Sequence, residues 1–357
     1  MKIGILSTTH GEGFGAERIL ADLIQAWPRD AEVSLCIITP GKGLVSRQAE
    51  SAGFSRMPLP TSTDRLAENL LAVMRLRGRL ADLDLIHAWH ARGFELGLWL
   101  ARRLGIPATG TLHDHPRAAF HGRCRQFLMR RSSAGFRRLV CVSQAVSDAC
   151  GACGYACPLT VIRNGLMPAP DRPARGGGPV RIGFLGMYTE WKGFSIVADW
   201  ARQSADLGVH WHLYGPIAAE LQARADATQR TAPGLVRLEG RQPTEQIFAT
   251  IDILVAPSTQ FDPLPTVLIE AARAGIPCVA ANAGGAGEIV EHLRTGFIFS
   301  VAEPAVGLQY LRRLVEDAAL RQTMGRAARQ RFERSFGVAN MVSAYADFWR
   351  AGVREGE

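Results

Sequence analysis

The sequence predicts two doubly wound α/β domains, each built on a parallel sheet, and three observations carry that expectation. Apolar strands alternate with helix-length segments along most of the 357 residues. The alternation restarts after a Pro/Gly-rich break at 168–179. Residues 251–299 then repeat one unit twice: an apolar strand, a Gly/Pro-rich turn carrying an acid, and a short helix. Strands that are continuously apolar and alternate with helices of roughly 10–15 residues belong to sheets buried on both faces.

The first half opens on the strand KIGILST and a loop, HGEGFG, that leads into a helix over 16–26. Further strands are predicted at VSLCIIT, DLIHAW, ATGTLH, RLVCVS and LTVIRN. The break PAPDRPARGGGP has little to bury and reads as a linker. The second half begins again with the strand VRIGFLG, a turn, and a helix from about Phe194, followed by strands WHLYG, VRLEG, DILVAPS and IPCVAA. Two such domains, 1–167 and 180–337, are expected to face each other across a cleft. At the end, Val338, Met341, Val342, Tyr345, Phe348 and Trp349 have helical spacing, so a helix over 338–357 is expected to pack back on the first domain.

Composition sets outer limits. The chain is 47% hydrophobic and 21% charged, as in ordinary globular proteins, and long enough for two cores. No stretch reaches the roughly 18 apolar residues needed to span a bilayer. MKIGILSTTH turns polar after six residues without a cleavage pattern and reads as a strand rather than a leader. Seven scattered cysteines fit a reducing cytosol. Residues 1–170 hold 21 Lys+Arg against 13 Asp+Glu, whereas 171–357 hold 20 of each. Much of the excess lies in 117–138, where Arg117, Arg123, Arg125, Arg130, Arg131, Arg137 and Arg138 alternate with Phe120, Phe127, Leu128, Phe136 and Leu139. That pattern suits either an anionic membrane surface or a solvated helix face. No nucleic-acid motif accompanies the charge, so nucleic acid is not expected as a partner.

The chemistry concentrates in the second half. In Asp262-Pro263-Leu264-Pro265-Thr266, Pro265 is placed near the first helical position, leaving the amides of Thr266 and Val267 free to meet an anion. Asp262 and Glu270, eight positions apart, suit sugar and ribose hydroxyls beside a phosphate. A second glycine-rich helix entry carries Gly284, Gly285 and Glu288. Lys192 is one of only three lysines among 41 basic residues, and it follows a strand and opens a helix, where a point charge could reach a diphosphate. His87 and His90 lack a third metal ligand, and Cys150, Cys153 and Cys157 lack a fourth, so no metal is expected.

Taken jointly, these motifs resemble the retaining glycosyltransferases of family 4, which have the GT-B fold of two Rossmann-like domains. The resemblance runs over nearly the whole chain: the glycine loop with Ala16-Glu17-Arg18, Asp84 through His87 to His90, His113-Asp114, Val142-Ser143, Ile162 to Gly165, Gly186 to Lys192-Gly193, Pro257-Ser258, Asp262 to Glu270-Ala271, Gly275-Ile276-Pro277, Gly284-Gly285 to Glu288, and Thr295-Gly296. It implies metal-independent transfer of a sugar, with retention, from a nucleotide-linked donor; a UDP- or GDP-linked sugar and a glycan acceptor in polysaccharide or glycoconjugate synthesis are expected, and the basic stretch at 117–138 adds a lipid-linked acceptor to that expectation. By that analogy Glu270 binds ribose, Asp262 the donor sugar, and Lys192 with the amides near Thr266 the leaving diphosphate. His113 lies near the reacting sugar. Gly13, Gly15, Gly186, Leu264, Val267, Gly284 and Gly285 complete the donor site. No cofactor is implied, and the location is cytoplasmic or peripheral on the inner face of the plasma membrane. Two positions depart from the family pattern: Asp262 replaces the usual Glu, and Met187 stands where an Arg commonly follows the glycine. Arg163 and Arg241 are the other candidate cations for that role. Two rival readings follow. Met187 motivates a catalytically silent accessory subunit. A nicotinamide oxidoreductase is disfavoured, because glycines 11, 13 and 15 have the wrong spacing and no acid ends VSLCIITP.

Overall fold

A computed structural model describes residues 1–8, 15–29, 31–59, 78, 80–118, 122–170, 172, 177–231 and 234–354. Gly13 and Phe120 lie outside the described residues. The chain divides into two compact units, Met1–Met167 with Gly337–Glu357, and Pro168–Phe336.

In the first unit, β1 (Lys2–Leu6), β2 (Ser34–Pro40), β3 (Ser55–Leu59), β4 (Leu85–Ala88), β5 (Ala108–Leu112), β6 (Arg138–Cys141) and β7 (Leu159–Val161) form one sheet of order β3-β2-β1-β4-β5-β6-β7. Every pairing in it is parallel. The helices are α1 (Gly15–Ala26), α2 (Leu44–Ser51), α3 (Phe94–Leu104), α4 (Arg123–Ser133) and α5 (Gln144–Ala152). β3, SRMPL, was not expected as a strand; its proline is tolerated because it sits on the sheet edge, paired only through β2.

The second unit repeats the plan. β8 (Arg181–Leu185), β9 (His210–Tyr214), β10 (Val236–Gly240), β11 (Ile253–Ala256), β12 (Cys278–Ala281) and β13 (Gly296–Phe299) are ordered β10-β9-β8-β11-β12-β13, again all parallel. Around them lie α6 (Phe194–Gln203), α7 (Gln222–Thr231), α8 (Thr244–Thr250), α9 (Thr266–Arg273), α10 (Ala286–Ile289), α11 (Pro304–Glu316) and α12 (Ala318–Ser335). Ile182, Phe184, Trp211, Leu213, Val255, Val279 and Phe297 fill the core between sheet and helices. Sequence reading missed β13, the edge strand of this sheet.

The last helix, α13 (Val338–Arg354), belongs to the first unit. Gly337 bridges to Leu166, Trp349 packs against Trp27 with ring centroids 5.2 Å apart, and the Tyr345 hydroxyl lies 3.0 Å from Thr111 Oγ1. The segment 168–179 counts with the second unit, and Arg172 within it donates to Asp252 at 3.0 Å. In both units the strand order reverses beside the first strand of the sheet, between β1 and β4 and between β8 and β11. Ligands of doubly wound sheets bind at the carboxyl ends of strands flanking such a reversal.

Candidate active site

Lys192 and Asp262 meet at the second unit's reversal point. The turn after β8 carries Lys192, the turn after β11 carries Asp262, and Lys192 Nζ donates to Asp262 Oδ2 at 2.6 Å. The ammonium also sits 4.2 Å from the centroid of the Trp191 ring. Asp262 is buried, and Ser258 Oγ donates to the same carboxylate oxygen at 3.4 Å. The sequence marked Lys192 and Asp262 as separate contacts; the structure couples them as one ion pair over an aromatic face. Trp191, 37% exposed, was not marked at all.

Two close backbone approaches hold the turns. At Gly193 the backbone has φ +78°, and a Cβ there would lie 1.9 Å from the Pro257 carbonyl oxygen, so only glycine lets the Lys192 turn lie against the end of β11. Thr259 N reinforces this by donating to Trp191 O at 2.8 Å. At Gly284 (φ +74°) a Cβ would meet the Asp262 carbonyl oxygen at 2.2 Å, and Gly285 N donates to that oxygen at 2.9 Å. Gly284 and Gly285 thus seat one turn on the other, rather than only clearing room for a ligand.

Helix α9 begins one residue later than expected. Pro265 is the cap, with ψ +103°, and Thr266 is the first helical residue. The expected consequence is unchanged, because the amides of Thr266 and Val267 still lie in the first turn, which lacks intrahelical acceptors. Both residues are half-buried, whereas Leu264 and Glu270 are buried. Gly186 follows β8 with φ +152°. Met187, beside it, is 46% exposed. Arg241 is exposed and follows β10, two strands away in the sheet order, while Arg163 belongs to the first unit. Gly15 is the first residue of α1.

In the first unit burial holds His87, His90 and His113 neutral. His113, just after β5, has its pKa pulled down to about 3 by desolvation, then by His90, while a ring hydrogen bond to the Trp89 backbone opposes this. Its Nε2 is buried and has no hydrogen-bond partner among the described residues. The His113 ring lies 5.1 Å from Trp89 and 5.6 Å from His90 between centroids. His90, lowered to about 4 by burial and then by Arg92, faces the buried Glu17 at 4.0 Å. His87 is structural: both ring nitrogens are 2.9 Å from threonine hydroxyls, of Thr109 and Thr111, and burial lowers its pKa to about 3. Among the described residues, no group of three or more His, Cys, Asp or Glu is placed to hold a metal ion. Cys150 and Cys157 are buried free thiols, and Cys153 is half-buried.

The basic stretch at 117–138 divides in two. Arg125 is bound to Glu95 at 2.6 Å and to the Ala91 carbonyl, and Arg138 lies over the Phe348 ring. Phe136 and Leu139 are core residues. On α4, by contrast, Arg123, Arg130 and Arg131 are exposed alongside Phe127 (53%) and Leu128 (41%). No helix among the described residues is long and apolar enough to cross a membrane.

Comparison with known proteins agrees with this geometry. Two family models match in tandem: "Glycosyltransferase Family 4" over residues 15–169 and "Glycosyl transferases group 1" over 170–331. The lipopolysaccharide core biosynthesis glycosyltransferase LpsE of Rhizobium meliloti is 24% identical over 355 residues, covering 95% of this chain and 98% of that protein. The D-inositol 3-phosphate glycosyltransferase of Streptomyces avermitilis is 36% identical over 115 residues, but the match covers only 32% of this chain and 24% of that one. Among solved structures, Anabaena HepE in complex with UDP superposes with a TM-score of 0.83 at 22% identity, over 98% of this chain and 100% of that one. With both halves of the fold matched in order, the chain belongs to the family 4 glycosyltransferases, of GT-B architecture.

Proposed function

We propose that this protein transfers a sugar, with retention and without a metal ion, from a nucleoside diphosphate sugar to a glycan or lipid-linked acceptor. The observation that carries the reading is the Lys192–Asp262 pair at the reversal point, beside the first turn of α9. Cleaving a sugar–diphosphate bond leaves negative charge on the departing phosphate, and preorganised donors aimed at that charge supply the main catalytic term. Lys192 and the amides of Thr266 and Val267 are such donors. Asp262 then holds Lys192 until the diphosphate competes for it, and accepts from a donor-sugar hydroxyl. Glu270 binds the ribose. Gly15, Gly186, Leu264, Gly284 and Gly285 shape the donor site. His113, neutral and with an unmatched buried Nε2, is assigned a hydrogen bond to the reacting sugar.

That HepE was crystallised with UDP, and that LpsE acts in lipopolysaccharide core synthesis, favours a UDP-linked donor and a cell-surface glycan acceptor. Thermal-shift screening of nucleotide sugars, followed by transfer assays, tests this: a matching donor raises the melting temperature by mass action. Glu270→Ala is expected to lower turnover at least tenfold, with Glu270→Gln as the control for folding. Near-normal turnover in Glu270→Ala would remove the ribose assignment.

Met187 favours a second reading, a silent homologue acting as an accessory subunit, since the exposed thioether supplies no charge where the family commonly has Arg. Tight UDP binding with no transfer to any acceptor would select it. A peripheral membrane location rests on α4. Replacing Arg123, Arg130 and Arg131 with Ser should reduce sedimentation with anionic vesicles, and unchanged sedimentation would withdraw it.

A further inference from the structure

Along β9 the order His210-Trp211-His212-Leu213-Tyr214 sends Trp211 and Leu213 into the core and the other three to the opposite face. β10 does the same, with Val236 in the core and Arg237 and Glu239 opposite, and β8 contributes Arg181 beside core Ile182. Parallel sheets are ordinarily covered by apolar contacts on both faces. Here the second face of β9 and β10, joined by Arg181 at the start of β8, is polar instead, and it opens a cavity of ≈ 440 Å³ lined by Arg181, His210, His212, Tyr214, Arg237 and Glu239. The cavity lies on the face of the sheet, whereas Lys192 follows the carboxyl end of β8.

Several of these groups are braced in place. Arg181 Nη1 donates to Thr250 O at 3.2 Å, and the Tyr214 hydroxyl is 3.0 Å from Thr250 Oγ1. His212 Nδ1 is 2.8 Å from Glu239 Oε1, which orients the ring. The His212 ring is stacked 6.3 Å from Tyr214 at an interplanar angle of 14°. His212 is only 7% exposed, yet its Nε2 is buried with no partner among the described residues. Arg237, exposed at the rim, likewise has no hydrogen-bond or ion-pair partner among the described residues.

We propose that this cavity binds a small phosphate monoester, separately from the Lys192 site. Two guanidinium groups can each donate to a terminal phosphate oxygen, and His212 Nε2, left as an acceptor because Nδ1–H is given to the Glu239 carboxylate, can take the hydrogen bond of the P–OH of the phosphate monoanion. Glu239 adds one negative charge to the lining, against the two guanidinium groups of Arg181 and Arg237. The volume exceeds what phosphate needs, and the Tyr214 ring offers a flat wall for the organic part of the ester.

Calorimetric titration of the full chain with inorganic phosphate and with glucose 6-phosphate tests the assignment. Saturable binding is expected for both, tighter for the ester. Arg237→Ser should weaken it at least tenfold, His212→Gln should do the same, and Lys192→Ala should leave it unchanged. Melting temperatures without ligand separate loss of the site from loss of the fold, and Arg237, being exposed, is the safer variant. No saturable binding, wild-type affinity in both cavity variants, or loss of binding in Lys192→Ala alone would overturn the proposal.

Discussion

The two units share a strand order but hold their functional side chains in opposite electrostatic states. In the second unit, Lys192 and Asp262 are charged, paired at 2.6 Å and reachable from solvent on the lysine side. In the first, His87, His90 and His113 are buried among aromatic rings and kept neutral. One topology thus supplies a charge-stabilising pole and an uncharged hydrogen-bonding pole. The difference follows from which residues follow the strands: short glycine turns leave Lys192 at the surface, whereas Trp89 and α13 cover the histidines.

Acid should expose this contrast most strongly. A histidine whose pKa is about 3 when folded and near 6.5 when unfolded takes up its proton only on unfolding between those values. Its contribution to stability is complete above about pH 6.5 and is lost as pH falls toward 3. His87 and His113 each cost about 1.4 kcal/mol per pH unit in that window, and His90 does so only down to about 4. Hydrogen exchange between pH 7 and 5 should therefore show the first unit loosening before the second. His87→Gln should remove about a third of the slope, and an unchanged slope would show that His87 is already protonated in the native state.

Gly284→Val is the next largest effect expected. It forces a β-branched side chain into φ +74° and against the Asp262 carbonyl, so a loss of order 1–3 kcal/mol follows. Thermal unfolding measures it, and the loss should be confined to the second unit. A stable variant would mean the two turns can separate without cost.

Smallest in energy is the charge pair itself. Lys192→Ala should lower turnover at least tenfold, about 1.4 kcal/mol in the barrier. Lys192→Ala with Asp262→Ala should lower it by less than the product of the single losses, since the residues are in contact. Additive losses would separate the pair into two independent contacts.

Much of this was legible in the chain. The apolar runs, the glycine turns and the restart after 168–179 suffice for two parallel sheets, because buried strands must be apolar and crossovers must be helical. Lys192, Asp262, Glu270 and the Gly284 turn stood out by residue type. What failed to show were short or irregular pieces: β3, whose proline argues against a strand until its edge position is known, and the one-residue offset at Pro265. The uniform basic stripe at 117–138 was also misleading, since two of its arginines, Arg125 and Arg138, take roles that depend on the distant partners Glu95 and Phe348.

By itself, then, the sequence determined the alternation of elements, the class of fold and the identity of the polar residues in the turns, all of which depend on local pattern. Only tertiary structure decided that Lys192 meets Asp262, that Gly284 is spent on a neighbouring turn, and that His87 is a core residue. Those outcomes join residues far apart in sequence, and no local spacing encodes the distance between them.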